Sequence, residues 1–205
     1  MNLVDLTLEI PTPGRTETRT LRQADGARYV ARVHAFVHSS MAGTYVDLPG
    51  HIQETDDGQD AAGFPAADLF RIESDVIHLD RASDTGAVTA AELAAADPAP
   101  PGRAAPGLVV NALGARRFDA IRMRSVWLAP DAVRWITARG VRLLVSDVYE
   151  SPGLHGVFSA LFRSRITTVC QPVDLHCLTA ARVRLTVLFP RFRGVTQLPC
   201  RVVAE

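Results

Sequence analysis

Asp47 and His51, four positions apart, are the densest chemical feature of the chain. They fall in Ser40-Met41-Ala42-Gly43-Thr44-Tyr45-Val46-Asp47-Leu48-Pro49-Gly50-His51, where two glycines and a proline mark a tightly specified loop leaving a strand end. An acid beside an imidazole raises the imidazole's basicity and fixes its tautomer, which is how a general base is built. The competing reading is structural: an Asp that caps a turn and a His that packs. The three cysteines, Cys170, Cys177 and Cys200, cannot all pair and lack C-x-x-C spacing, so they read as free, buried or half-buried thiols of a reducing compartment.

The elements that must position these groups mix strands and helices. Leu3 to Ile10 alternates as a strand ended by Pro11 and Pro13. Arg28 to Val37 reads as a long strand with Tyr29, Ala31, Val33, Ala35 and Val37 on one face. Thr89-Ala90-Ala91-Glu92 is a capping box that opens an Ala-rich helix stopping before Pro98. Pro130 begins a helix that Gly140 closes, and Val141 to Val145 follows as a buried strand with Asp147 just beyond it. Leu108–Ala112, Leu185–Phe189 and Val195–Val203 complete the strands, and 97–107 is a Pro/Gly/Ala-rich surface loop. The alternation is irregular, so the class is α/β or α+β without a clean βαβ repeat. No repeat or domain boundary interrupts residues 1–205, which are read as one domain.

Composition narrows the function. With 205 residues, 47% of them hydrophobic, the chain has material for a real core. Twenty-two cations balance 22 anions, which argues against nucleic-acid or membrane-surface binding. Every cation is Arg, and the absence of Lys removes Schiff-base chemistry, a lysine base and a P-loop lysine. No basic leader precedes the first strand and no apolar run spans a membrane, so a cytoplasmic protein is expected.

From Met41 to His51 the sequence resembles the H-x-G-T-H-x-D-x-P-x-H hallmark of the cyclase or kynurenine formamidase-like family, which includes arylformamidases, isatin hydrolase and cyclases of antibiotic gene clusters. Val4-Asp5-Leu6-Thr7 is similar to the family's opening strand. Val145-Ser146-Asp147 with Ser151 is similar to its central G-x-D-x-x-S turn, and Gln197 to Ala204 to its closing G-x-P-x-R-x-x-A strand. The resemblance implies a swivelling β/β/α fold assembled as a homodimer or homotetramer.

The departures concern metal. In the family's hydrolases the two His before the Asp bind metal with that Asp; here they are Met41 and Tyr45. The downstream Glu position falls on Gln171, and the downstream His position on Ser159, or on His155 if the alignment shifts. Met, neutral Tyr and Gln suit zinc poorly, and a hydrolytic zinc needs about three protein ligands. His34 and His38, about 13 Å apart on an extended strand, cannot replace them. No metal and no cofactor is therefore expected.

His51 becomes the acid–base candidate, Asp47 its orienting partner, and Tyr45 a donor to a carbonyl or enolate. Met41, Gln171, His155 and Ser159 are candidate substrate contacts; Tyr45 and Met41 as simple filling, and Gln171 as a core amide, remain the structural alternatives. Asp147 and Glu150 ring either the site or an oligomer interface. The expected function is metal-independent ring closure, isomerisation or dehydration of an aromatic or polyketide-like small molecule in bacterial secondary metabolism. The alternatives are a metal-dependent amide or lactone hydrolase of the arylformamidase type, and an inactive relative that binds a small molecule or stabilises a partner.

Overall fold

A computed structural model describes residues 3–10, 14–79, 81–100 and 102–205. Pro11, Pro13 and Pro101, expected to end a strand and to shape a loop, lie outside the described residues. In chain order the strands are β1 (Val4–Asp5), β2 (Arg15–Arg22), β3 (Arg28–Ala35), β4 (Tyr45–Asp47), β5 (Ile72–His78), β6 (Gly86–Val88), β7 (Gly107–Asn111), β8 (Val126–Leu128), β9 (Leu143–Ser146), β10 (Thr167–Cys170), β11 (Arg182–Leu188), β12 (Gln197–Pro199) and β13 (Arg201–Ala204). The helices are α1 (Ala90–Ala96), α2 (Pro130–Ala138) and α3 (Val157–Arg163).

Nine strands form one sheet in the order β1-β13-β11-β5-β7-β9-β10-β4-β12. Its centre, β5-β7-β9-β10, is parallel, and both flanks are antiparallel. The architecture is thus mixed α+β. Successive residues alternate between the faces. Leu108, Val110 and Leu144 enter the layer beneath the helices, with Leu93, Ile136, Leu161 and Phe162. Val109, Leu143, Val145 and Val169 enter the opposite layer, with Val46, Leu198 and Val202. Both faces are covered, which is why the central strands read as unbroken apolar runs.

The expected strand over Val195–Val203 is divided at Cys200. β12 pairs with β4 at one end of the sheet and β13 pairs with β11 and β1 near the other. Consecutive residues can lie at opposite ends only because the sheet curls until its ends approach, and the Cys200 N–H bonds the Thr44 carbonyl at that seam. A period-two pattern cannot show the change of partner, because both halves keep alternating.

The helix signals hold locally. Thr89 Oγ1 accepts from the Glu92 N–H, and Glu92 Oε2 accepts from the Thr89 N–H at 2.7 Å, closing the capping box. Beneath α1 and α2, Asp75 is buried and pairs with the buried Arg139 and with Arg182, which reaches in from the surface; Arg139 also pairs with Asp97. Burial acts to raise the Asp75 pKa, but the Ala105 amide and the two guanidiniums hold it below the usual carboxylate range.

Two expectations change. Leu3–Ile10 pairs as a ladder strand only through Val4–Asp5. The long apolar-faced strand is β3, and it pairs only with β2 in a hairpin. The face expected to carry Tyr29, Val33 and Val37 meets no core: all three are exposed, Val37 by 85%. Period-two alternation reports a face that could be covered, not the layer that covers it. No described helix is long and apolar enough to cross a membrane.

Candidate active site

β4 is entered through Gly43, whose φ is +65°; a Cβ there would lie 2.7 Å from the Leu8 carbonyl oxygen, so glycine is required. Thr44, buried beside it, donates from Oγ1 to the Gln171 carbonyl (2.8 Å) and accepts from the Leu8 N–H (2.7 Å). These bonds tie β4 to the turn after β10. Tyr45 and Asp47, two residues apart, share one face of β4, while Val46 enters the opposite core. Cys170 lies in register with Tyr45, and Thr168 and Gln197 flank Asp47.

Tyr45 opens onto a cavity of about 510 Å³. The rings of Tyr149 and Phe158, stacked at 5.1 Å with 21° between planes, form one wall, and Phe118, Ile121, Met41 and Met123 extend it. Polar groups reach it from Tyr45, Gln171, Asp147, Glu150, Asp119 and Arg124. Met41, Tyr45 and Gln171, singled out in the sequence, therefore share one cavity.

His51, Asp47, His155 and Ser159 are not part of that wall. After β4 the chain enters a 3₁₀ turn, Pro49–His51, which carries His51 to an exposed position. There His51 Nε2 lies 3.2 Å from Gln197 Nε2, and the Ser40 hydroxyl donates to Gln197 Oε1 at 2.6 Å. Asp47 lies behind the wall, 2% exposed, its Oδ2 accepting from the Cys170 thiol at 3.6 Å and its Oδ1 without a partner. On α3 it is Phe158 that faces the cavity; Ser159, about 100° further round the helix, does not. His155 lines a separate cleft with Pro130, Val133 and Arg134.

Electrostatics assign states to these groups. Burial, with Cys170 and Asp47 adding to it, pushes the Tyr45 hydroxyl far above its ordinary value, so Tyr45 is a proton donor throughout the neutral range. Burial likewise raises the Cys170 thiol. Asp47 is raised by burial against the opposing Gln197 amide, His51 and Cys170. Asp147 is pushed up to about 6 by burial, although its two oxygens accept from the Ala112 and Leu113 amides at 2.9 Å each. Glu150 accepts from three amides, those of Ser151, His155 and Val157, and so anchors the loop into α3.

The resemblance implies a metal at the Met41, Tyr45, Asp47 and Gln171 positions, and the donors there do not fit one. The phenol and thiol are held neutral by burial, and the imidazole Nε2 faces an amide. Asp47 is then the only carboxyl donor at these positions, short of the roughly three ligands of a hydrolytic zinc. Among the described residues, the only His, Cys, Asp or Glu trio spaced to hold one ion is Asp174, His176 and Cys177, on an exposed turn between β10 and β11.

Several groups around the cavity carried no motif. Tyr149, Phe158, Phe118 and Arg124 come from three separate segments, whereas Asp147 and Glu150 had a signal, their place beyond a buried strand. Gln197 stands where the closing family pattern begins with Gly, a departure visible in the sequence but meaningless until its neighbours are known.

Residues 4–151 match the family model described as "Putative cyclase". No curated protein matches the chain. Isatin hydrolase A from Labrenzia aggregata, solved with benzyl benzoate, superposes with a TM-score of 0.73 at 18% identity, covering 99% of this chain and 93% of its own. A protein described as a predicted metal-dependent hydrolase from Bacillus stearothermophilus gives 0.67 at 17% identity, covering 99% and 97%. A structure described as a novel cyclase gives 0.67 at 12%, covering 99% and 88%. At these identities the likeness is one of fold.

Proposed function

Because the chain belongs to the cyclase family, we propose that it is an enzyme that moves protons on an aromatic or polyketide-like carbonyl compound in the Tyr45 cavity, without a catalytic metal. One observation carries this reading: a protonated phenol and a carboxyl with a pKa of about 6 belong to residues of one aromatic-walled cavity, where Met41, Tyr45 and Gln171 stand at three of the family's metal positions. A base poised near the working pH and a fixed donor are what enolisation needs.

In this scheme the Asp147 carboxylate takes the proton from the carbon α to a ligand carbonyl. The C–H electron pair becomes the enolate C=C, and the Tyr45 O–H stabilises the charge growing on oxygen. Return of the proton to another atom isomerises the ligand; loss of a β-hydroxyl with that proton, as water, dehydrates it. Attack of the enolate carbon on a second carbonyl closes a ring: that carbonyl's π pair moves onto its oxygen, which takes back the proton held by Asp147. Burial, with Cys170 and Asp47 adding to it, keeps the phenol protonated, and His51 stands outside the cavity against Gln197.

The exposed apolar face of β3 supports self-association, and we place the β2–β3 hairpin at the contact between copies. The hydrolase names of the structural neighbours support a second reading, metal-assisted hydrolysis. One experiment separates the two. Protein purified without chelator is analysed for metal, and its exchange of the methyl protons of 4-hydroxyacetophenone into D2O is followed by NMR. Metal-free protein that exchanges faster than its Asp147→Asn and Tyr45→Phe variants supports proton transfer. Stoichiometric zinc or manganese, or variants as fast as the parent, overturns it.

A further inference from the structure

Among the described residues, Arg124 is the only cationic side chain on the cavity wall. The three carboxylates that share the wall already have partners. Asp119 is paired with Arg117 through two contacts of 2.7 and 3.1 Å. Asp147 accepts two backbone amides, and Glu150 accepts three. Arg124 makes no ion pair among the described residues. It therefore presents a guanidinium without an ion-pair partner among the described residues to the space in front of an aromatic wall.

Its placement is specific. Arg124 has a φ of +59°, in the left-handed region that an L residue rarely adopts, inside a turn closed by the Ser125 N–H bonding the Arg122 carbonyl. Arg124 and Tyr45 line the same cavity, and the guanidinium is near enough for its charge to act on the phenol. A planar guanidinium is suited to holding a carboxylate through two parallel hydrogen bonds.

We propose that Arg124 is an anion-binding residue that selects ligands carrying a carboxylate on an aromatic ring. The carboxylate sits against Arg124, which is exposed toward solvent, and the ring lies inward against Tyr149 and Phe158. The absence of lysine leaves this task to arginine. The inference rests on the proposed use of the Tyr45 cavity and adds the charge of what enters it.

The test is calorimetric titration with two probes of nearly equal shape, 2-naphthoate and 2-naphthamide, against the full chain, Arg124→Gln and the neighbouring control Arg122→Gln. The naphthoate should bind at least about tenfold more tightly than the amide. Arg124→Gln should lower naphthoate affinity to the amide's level and leave the amide unchanged, whereas Arg122→Gln should preserve the preference. Equal affinities in the parent, or a preference that survives Arg124→Gln, overturns the inference while leaving the cavity as a ligand site. If neither probe binds a protein whose circular dichroism shows it folded, the cavity reading fails with it.

Discussion

Gln197 Nε2 lies 3.2 Å from His51 Nε2, while the other end of the same amide accepts from Ser40. With its oxygen engaged, the amide NH2 donates to the imidazole, so Nε2 is the bare nitrogen and the ring proton sits on Nδ1. His51 thus spends its Nε2 lone pair on Gln197, outside the cavity wall. The acid–base role that its spacing from Asp47 implies is, in our reading, taken by Asp147.

Replacing His51 with Ala should slow proton exchange of the aryl ketone by less than about tenfold. Asp147→Asn should slow it by roughly 10²- to 10⁴-fold. The reverse order would restore His51 as the base. Thermal unfolding of both variants checks that the fold survives, because the Asp147→Asn side chain keeps only one oxygen to accept from the Ala112 and Leu113 amides.

The pH dependence follows from the sign of the shift. Asp147 is held up to about 6 by burial, and only its ionised form accepts a proton. Exchange should rise with pH through about 6 and level off above it. The same shift makes the protonated form the one the fold favours, so Asp147's contribution to stability is complete below its unfolded pKa, near 3.9, and is lost as pH rises through about 6. Asp147→Asn should flatten that limb of the rate profile; an unchanged limb would assign it to another group.

Tyr45→Phe keeps the ring in the core and removes the hydroxyl. Loss of one aimed donor should cost about 10²- to 10³-fold in exchange rate. Melting should shift little, since Tyr45 lines the cavity and the Cys170 thiol already donates to Asp47 without it. An equal loss of rate and stability would make Tyr45 a packing residue only.

Asp75 and Arg139 supply a stability test away from the cavity. Arg139→Met leaves a buried carboxylate with one guanidinium fewer and should destabilise by about 3–5 kcal/mol in urea unfolding. The Asp75 pKa is depressed, so its stabilisation is present above the unfolded value near 3.9 and is lost as pH falls through the lower folded value. Arg139→Met should therefore weaken the acid sensitivity of the fold.

The hairpin prediction concerns assembly. Light scattering on the full chain should give a multiple of the single-chain mass, and Tyr29→Ser with Val33→Glu should reduce it to one chain without changing the circular dichroism. A single-chain mass for the parent would remove the hairpin as an interface.

Features whose physics is local were legible in the amino-acid order. The Thr89 capping box and Pro130 at the start of α2 depend only on neighbours within a few residues, whereas the segment read as a loop carries the strand β4, whose partners β10 and β12 are distant in the chain. The Met41-to-His51 hallmark and its missing ligands were legible too, because they are substitutions in place. What those residues meet was set by the fold. Curling of the sheet splits the last strand at Cys200 and sets Gln197 beside Asp47 and His51. The helix-side layer brings Tyr149, Phe158 and Arg124 around Tyr45 from distant segments, and the 3₁₀ turn takes His51 away. Contacts between residues far apart in the chain have no spacing to read, so the wall of the cavity, and the state of every charge in it, emerged only in three dimensions.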